Sequence, residues 1–333
     1  MQRNKERLAL YFDLKLESVS TARGEYGKLE GLAPKTLAEM VEYVSKLKDD
    51  PKQELVWPKR TRGDVLYLVD MVAREGDDHV VLLINRCDPD AADSVFYDPA
   101  TGTRTRHEKK PGEGADHSSH VALSLTPVSP NVYRAIVEMC PGLSSARIEA
   151  FLNYLFRICC MEFKQDFTVE HLAGAVEGEG AEIKPVRVRT KQKCKMMGHL
   201  SPEFEQELRE GKLTSIELIR LEDQGSPWDD AGELVENSRT VKIRESAPGA
   251  VAEKWEAIQQ LCGRVKDKYG QVRVTFRTTE GLTRTAKLET EGAAFAHDSK
   301  YIKKRLIDGF EKSLPAAFDA VDEEMRGKLC ALL

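Results

Sequence analysis

The sequence lacks an apolar run approaching the roughly 20 residues that a transmembrane helix needs. Its first residues, from Met1 to Leu8, carry charge, and no apolar signal region follows them. The seven cysteines are scattered and odd in number, with no C-x-x-C pair. This usage is typical of reduced intracellular thiols and argues against a disulfide framework or a zinc ribbon. We therefore expect a cytoplasmic protein without a membrane span.

Motifs of common catalytic sites are also missing. There is no phosphate-cradling Walker loop, no dinucleotide glycine motif and no serine in a nucleophile elbow. Glu182-Ile183-Lys184 has the acid-x-lysine spacing of many nucleases, but Pro185 follows at once, which is unfavourable in a central strand. Asp116, His117 and His120 could begin a metal site, although a fourth ligand is not evident. We favour a protein without catalysis, cofactor or metal, and keep a metal-dependent nuclease acting on DNA or RNA as an alternative.

Composition sets the size and the charge of the molecule. With 333 residues, the chain is long enough for two domains. It is 41% hydrophobic and 32% charged, with a formal net charge of −5. This excludes a uniformly basic nucleic-acid binder. A local basic surface on an acidic body remains compatible, because binding responds to the local field.

Such a local surface is indicated between Ile183 and Gly198, where no acid occurs. From residue 187 onward a cation stands at every second position. The basic residues of the stretch are Lys184, Arg187, Arg189, Lys191, Lys193 and Lys195. In a β-strand these side chains would form one row, about 6.6–6.8 Å apart. Like charges in a row repel each other unless an anion lies along them, and phosphate backbone is a natural partner. The alternative is a solvated edge strand, charged to prevent edge-to-edge pairing.

The N-terminal part reads as a β-rich α+β domain, residues 1–180. Apolar patterns and turn signals predict strands at 8–16, 65–72, 80–85, 95–98, 103–107 and 120–125. Pro34 opens a predicted helix at 34–48, whose apolar residues share one face. The patterns of 131–140 and 145–161 are helical. We therefore predict a helical hairpin near 131–161, joined by Pro141-Gly142-Leu143-Ser144. Its glycine turn is similar to a helix-hairpin-helix DNA-binding motif, and an ordinary helical hairpin is the favoured alternative.

The C-terminal part, residues 181–333, reads as a second α+β domain with a basic surface. Strands are predicted at 214–221, 240–244, 272–278 and 282–288, and helices at 202–209, 248–269 and from Asp298 to about Leu314, with more helix beyond Pro315. The cations that extend the candidate surface are Arg273 and Arg277 on a strand and Lys303, Lys304 and Arg305 on the last helix. The end from Met325 to Leu333 is apolar, which favours docking on its own domain or on a second copy.

The order of these parts resembles phage-exclusion proteins of the RexA kind, carried by lambda-like prophages, and the layout of the Kiwa defence protein KwaB. The resemblance covers at most the C-terminal half. It lies in a hydrophobic strand at Thr214–Leu221, the basic strand Val272-Arg273-Val274-Thr275-Phe276-Arg277, and a closing helix that changes from basic to apolar. The resemblance implies duplex DNA binding, self-association and abortive defence against phage.

The resulting prediction is non-catalytic, largely sequence-independent binding of double-stranded DNA through phosphate contacts. The protein is expected to be a homodimer, in prophage or bacterial anti-phage defence, with a phage or host protein as a further partner. A second alternative is a protein-interaction module whose basic surface meets an acidic partner.

Overall fold

The fold is α+β and rich in strand. A computed structural model describes residues 5–22, 31–58, 63–74, 76–171, 186–221, 238–244, 254–290, 294–295 and 301–333. The chain divides into two compact units. Unit 1 comprises Met1–Ala9, Leu14–Lys195 and Leu306–Leu333, and unit 2 comprises Leu10–Asp13 and Met196–Arg305. The sequence predicts one boundary near residue 180. In the structure, the chain passes from unit 1 to unit 2 after Lys195 and returns to unit 1 after Arg305, so that the final residues belong with the N-terminal part.

The elements follow each other in this order: β1 (Arg7–Ser20), α1 (Leu37–Lys48), β2 (Val56–Pro58), β3 (Val65–Val72), β4 (His79–Asp88), β5 (Ser94–Asp98), β6 (Thr103–His107), β7 (Ala115–Ser129), β8 (Val132–Glu138), α2 (Ser145–Glu162), β9 (Thr168–His171), β10 (Val186–Gly198), α3 (Pro202–Glu210), β11 (Lys212–Leu221), β12 (Ser238–Ile243), α4 (Lys254–Val265), β13 (Gln271–Arg277), β14 (Thr283–Glu289), β15 (Ala294–Phe295), β16 (Lys304–Ile307) and α5 (Glu323–Cys330). None of the helices in the described ranges has the length and hydropathy needed to cross a lipid bilayer.

The sheet of unit 1 has the strand order β10-β1-β8-β7-β4-β3-β2, and β9 pairs with β10. The β2–β3, β3–β4, β4–β7 and β7–β8 pairs are all antiparallel. One face of this sheet is covered by α1 and α2. Helix α1 begins with a capping box at Thr36 and Glu39, which satisfies its first backbone donors. The hydroxyl of Tyr133 on β8 accepts a hydrogen bond from the Leu37 N–H, which places α1 on that face.

The opposite face carries the C-terminal segment of the chain. Residues 315–322 have no helix or strand of their own, so side chains of the sheet must satisfy their backbone groups. The Ser118 hydroxyl accepts from the Phe318 N–H at 2.7 Å, and the Asp70 carboxylate accepts from the Val321 N–H at 3.0 Å. Asp322 then caps α5, whose Met325 and Leu329 are buried. The apolar C-terminal end thus docks on its own unit, the first of the two outcomes that its sequence allows.

A buried ion-pair network anchors this segment. Arg7 Nε donates to Glu138 Oε1 at 2.9 Å, and Arg7 Nη2 donates to the Pro315 carbonyl at 2.8 Å. His120 Nδ1 lies 2.7 Å from Glu138 Oε2, and His120 Nε2 accepts from the Asp322 N–H at 3.2 Å. Because Nε2 is the acceptor in the second bond, it carries no proton. The ring proton therefore lies on Nδ1, which donates it to Glu138. The network is fully enclosed, with Arg7, His120 and Glu138 at 4%, 0% and 1% exposure.

Unit 2 contains the strand order β12-β11-β13-β14-β15, all antiparallel. Its core is aromatic: the ring of Phe204 on α3 meets those of Trp255, Phe276 and Tyr301 edge-on. Helices α3 and α4 therefore share one face of this sheet with Phe276. The other face, with Arg273 and Arg277, points away from them, because residues alternate along β13.

The predicted helical hairpin near 131–161 is wrong in its first half. Residues 132–138 form β8, and only α2 is helical. Val132, Tyr133, Ile136 and Val137 are β-branched or aromatic, which suits a strand, and a strand buried on both faces loses the alternation that identifies it. The Arg86 guanidinium lies against the turn at Gly142, where a Cβ would meet it.

The predicted final helix from Asp298 to about Leu314 is also wrong where the chain is described. Lys304–Ile307 is strand β16, which pairs with β1, and helix returns only at α5. Gly309 has a φ of 70°, a left-handed conformation that ends any local helix. The other predicted helices and strands overlap elements of the structure, although Pro248 and the residues before Lys254 lie outside the described ranges.

Candidate nucleic-acid interface

The basic stretch is a strand, as its alternation predicts. In β10 the side chains of Val188, Thr190, Gln192 and Cys194 are buried. The intervening cations Arg187, Lys191 and Lys193 are exposed, and Arg189 and Lys195 are half-buried. One face of β10 is therefore a row of five cations, which we call the β10 cation row. Lys184, the sixth predicted residue, lies outside the described residues.

Polar bonds hold β10 both along one edge and, through the Thr190 hydroxyl, on its inner face. The Thr190 N–H and hydroxyl both donate to the Phe167 carbonyl, at 2.8 and 3.1 Å. The Gln192 N–H donates to the Cys160 sulfur at 3.3 Å. Burial raises the pKa of the Cys160 and Cys194 thiols, which therefore stay protonated. The Thr190 hydroxyl bond and the buried side chains keep this side of the strand inward, and so keep the cation row outward.

The outer edge of β10 is closed by a side chain of α2. Asn153 Oδ1 accepts from the Cys194 N–H at 2.9 Å, and Asn153 Nδ2 donates to the Cys194 carbonyl at 2.8 Å. The amide thus takes the place of a neighbouring strand at this residue. Since a side chain already satisfies this part of the edge, charge repulsion is not needed there to prevent strand pairing.

The members of the row differ in how firmly they are held. Arg187 Nε lies 3.3 Å from Glu170 on β9, with both side chains mostly exposed, so solvent screens this pair strongly. Arg189 Nη2 donates to the Cys160 carbonyl at 2.9 Å. Lys191 and Lys193 form no ion pair with any residue in the described ranges. These two ammonium groups are the most available for an external anion.

The neighbouring strand β1 adds charges of both signs beside the row. The Thr21 N–H donates to the Arg189 carbonyl, and the His199 N–H donates to the Tyr11 carbonyl. In an antiparallel pair, each step forward on one strand is matched by a step back on the other. Both bonds fit one such register, so β1 and β10 are antiparallel with the same register at both ends. This register sets Lys15 opposite Lys195 and Glu17 opposite Lys193. Lys15 Nζ lies 3.2 Å from Glu17 Oε1, so Glu17 is already balanced by a cation of its own strand.

The predicted cations of β13 are engaged within unit 2. Arg273 Nη1 is 2.7 Å from Glu217 Oε2, and Lys242 Nζ is 3.1 Å from Glu217 Oε1. Hydrogen bonds from Lys242 and Arg273 hold the pKa of Glu217 below its ordinary value, so it stays charged and neutralises part of this surface. Arg277 Nε donates to the Gly281 carbonyl at 2.9 Å and closes the β13–β14 turn.

The last three predicted residues lie at β16 and not on a helix. The Lys303 ammonium stands over the Tyr11 ring, 4.4 Å from its centroid, and the Lys303 carbonyl accepts from the Tyr11 N–H at 3.2 Å. Lys304 and Arg305 are exposed. Because a strand alternates its side chains, Lys304 and Arg305 point to opposite faces and do not form the single cluster expected on a helix.

Asp116, His117 and His120 do not converge on a common point. All three lie on β7, where Asp116 and His120 face one side and His117 the other. The His120 nitrogens are taken by Glu138 and Asp322, and Asp116 Oδ2 accepts from Tyr67 and Asn85 at 2.7 Å each. Among the described residues, no three His, Cys, Asp or Glu side chains gather as metal ligands.

Two other acids that a nuclease could use are engaged in ion pairs, and the acid-x-lysine pair is not described. Asp88 Oδ2 lies 2.6 Å from Arg86 Nη2, and Glu217 is held by its two cations. Glu182 and Lys184 lie outside the described residues.

Two residues that shape the candidate interface were missed from sequence. Asn153 reads as an ordinary polar position of α2, and its role depends on the path of β10. Lys15 could have been found as an outward residue of β1, because Leu14 and Leu16 face inward. The pairing of β1 with β10 is what brings Lys15 beside the row.

Comparison with models of protein families found no match for this chain, and neither did comparison with curated proteins or with solved structures.

Proposed function

We propose that this protein binds double-stranded nucleic acid, DNA in the first place, through phosphate contacts made by the β10 cation row. The observation that carries the proposal is the separation of the two faces of β10. Five cations share the outer face, while buried side chains fix the inner face. About 6.6–6.8 Å separates successive cations of a regular strand. Phosphates succeed each other at a similar spacing along one strand of a duplex, so several cations can engage one backbone.

Contacts of this kind carry little sequence information. Lysine ammonium groups are hydrated point charges on flexible stems, and Lys191 and Lys193 have no fixed partner among the described residues. Binding through them should depend on charge density rather than on base edges. The role is therefore non-catalytic attachment to DNA in the cytoplasm, and anti-phage defence is the setting that the resemblance implies.

The proposal predicts a steep salt dependence. Each phosphate contact releases counterions, so the logarithm of the binding constant should fall by about 0.9 per contact for each tenfold rise in salt. Fluorescence anisotropy on several duplexes of unrelated sequence, at several salt concentrations, measures this. We expect similar affinities for all duplexes and one common slope. A flat salt response, or a strong preference for one duplex, would contradict binding through phosphates.

The same samples separate the alternatives. Incubating the duplexes with magnesium or manganese tests the nuclease: cleavage that disappears with a chelator would favour it. Failure to bind any duplex at low salt would instead favour a protein-interaction module whose row of cations meets an acidic partner.

A further inference from the structure

The β5–β6 hairpin of unit 1 is unusual because neither of its faces is packed. Every residue from Ser94 to Glu108 is exposed. The hairpin forms a two-stranded sheet of its own. It nevertheless carries three large hydrophobic side chains in succession: Val95, Phe96 and Tyr97, at 44%, 63% and 64% exposure. An isolated two-stranded hairpin is marginally stable in water, and adjacent exposed hydrophobic residues mark a contact surface.

The two edges of this hairpin differ in their protection. Strand β6 carries Arg104 and Arg106, the kind of charges by which proteins block edge-to-edge pairing. Strand β5, with the sequence Ser-Val-Phe-Tyr-Asp, has no cation and no proline within it. Among the described residues, no backbone hydrogen bond reaches β5 from any strand other than β6. The unprotected edge is thus the one that carries the hydrophobic residues.

Charge decides which class of partner suits this edge. Arg106 is held by Asp93, with its Nη2 2.7 Å from Asp93 Oδ2, and Lys109 Nζ donates to the Pro89 carbonyl at 2.6 Å. Asp98 is engaged in its own turn by Ala100 and Thr101. The basic residues around the hairpin are therefore mostly engaged, and β5 itself offers no cation to a phosphate. A polypeptide strand fits this edge better than a nucleic acid does.

We propose that β5 pairs with β5 of a second copy of this chain, antiparallel and centred on Phe96. In this register Phe96 lies opposite Phe96 of the partner subunit, and Val95 lies opposite Tyr97 of the partner subunit. Apolar and aromatic side chains facing each other across strands stabilise a sheet. The corresponding pairing of β6 with itself, centred on Thr105, would set Arg104 opposite Arg106 of the partner subunit on both sides of the axis. Like charges therefore exclude that pairing and leave the one through β5.

The assembly closes as a dimer. Once β5 meets its copy, the only edges left on the four-stranded sheet are the two β6 strands with their arginines. The contact is isologous, so it consumes the same patch on both subunits and does not propagate into a fibre. A contact between two five-residue strands is small, so we expect a weak dimer whose population depends on protein concentration.

The test is the molar mass of the full chain, without nucleic acid, across a concentration series in light scattering or sedimentation. The unmodified protein should shift from monomer to dimer as its concentration rises. Phe96→Lys sets two lysines opposite each other on the axis and should leave only monomer. Thr105→Lys is the matched control, because it places the same charge on β6 directly across from Phe96, away from the contact. It should keep the dimer.

Mixing two variants tests the register itself. Phe96→Lys and Phe96→Glu should each be monomeric alone and should form a one-to-one dimer together, because residue 96 meets residue 96. Since Phe96 is exposed, circular dichroism should be unchanged in both variants. A monomer at all concentrations, a dimer that survives Phe96→Lys, or a mixture that stays monomeric would overturn the proposal. Loss of duplex binding without any change in mass would assign the hairpin to nucleic acid instead.

Discussion

Replacing Glu138 by leucine should destabilise unit 1 by about 3–5 kcal/mol, because it removes the buried carboxylate that pairs with the Arg7 guanidinium. The Arg7 side chain is 2% exposed and that of Glu138 is 1% exposed, so solvent cannot take the place of the lost partner. His120 loses the acceptor for its Nδ1 proton at the same time. Urea denaturation measures the change in unfolding free energy. Hydrogen exchange at β7 and β8 should show the loss in unit 1.

The double variant Arg7→Met with Glu138→Leu is the control for this prediction. It removes both charges, so only the smaller cost of the lost hydrogen bonds should remain. We expect the double variant to be more stable than Glu138→Leu alone, a strongly non-additive result. Equal destabilisation of the two variants would mean that the loss of the Glu138 carboxylate beside the Arg7 charge is not the cause.

Reversing Lys191 and Lys193 together to glutamate should weaken duplex binding about a hundredfold or more near 0.1 M salt. Each of the two lost phosphate contacts contributes about 0.9 to the logarithm of the binding constant at this salt concentration, and the new carboxylates repel the duplex. The fold should persist, because substitutions of solvated surface residues usually change stability by only about 0.5 kcal/mol. Anisotropy gives the affinity and circular dichroism the fold.

The matched control reverses Lys52 and Lys110, two exposed lysines of unit 1 that lie outside β10. This control changes the net charge by the same amount. It therefore distinguishes the loss of a local contact from a change in the protein's overall electrostatic field. It should bind nearly as well as the unmodified protein. If only a Lys304→Glu, Arg305→Glu variant lost affinity, the binding site would lie at β16 and not on β10.

The face of β10 could be predicted from sequence because one of its two sides is polar and charged. That contrast gives the period of two that identifies a half-buried strand. Strand β8 has no such contrast: Tyr133, Ile136 and Val137 are all buried, and the same residues fit a helix or a strand.

The C-terminal segment could not be predicted for a different reason. Its conformation is set by hydrogen bonds with residues such as Arg7 and Ser118, about two or three hundred positions away along the chain. Local propensity carries no information on such partners. The same limit applies to the candidate interface, where Asn153 and Lys15 lie beside β10 only because β10 packs against distant elements.

The most direct measurement of the β10 interface is the salt slope of duplex binding for a neutralised variant, Lys191→Gln with Lys193→Gln. If both lysines contact phosphates, the slope should become shallower by about 1.8, from two contacts at about 0.9 each. The affinities of the variant and the unmodified protein should also converge as salt rises. Parallel slopes, with an unchanged number of released counterions, would show that the two lysines do not touch the duplex and would contradict the proposed interface.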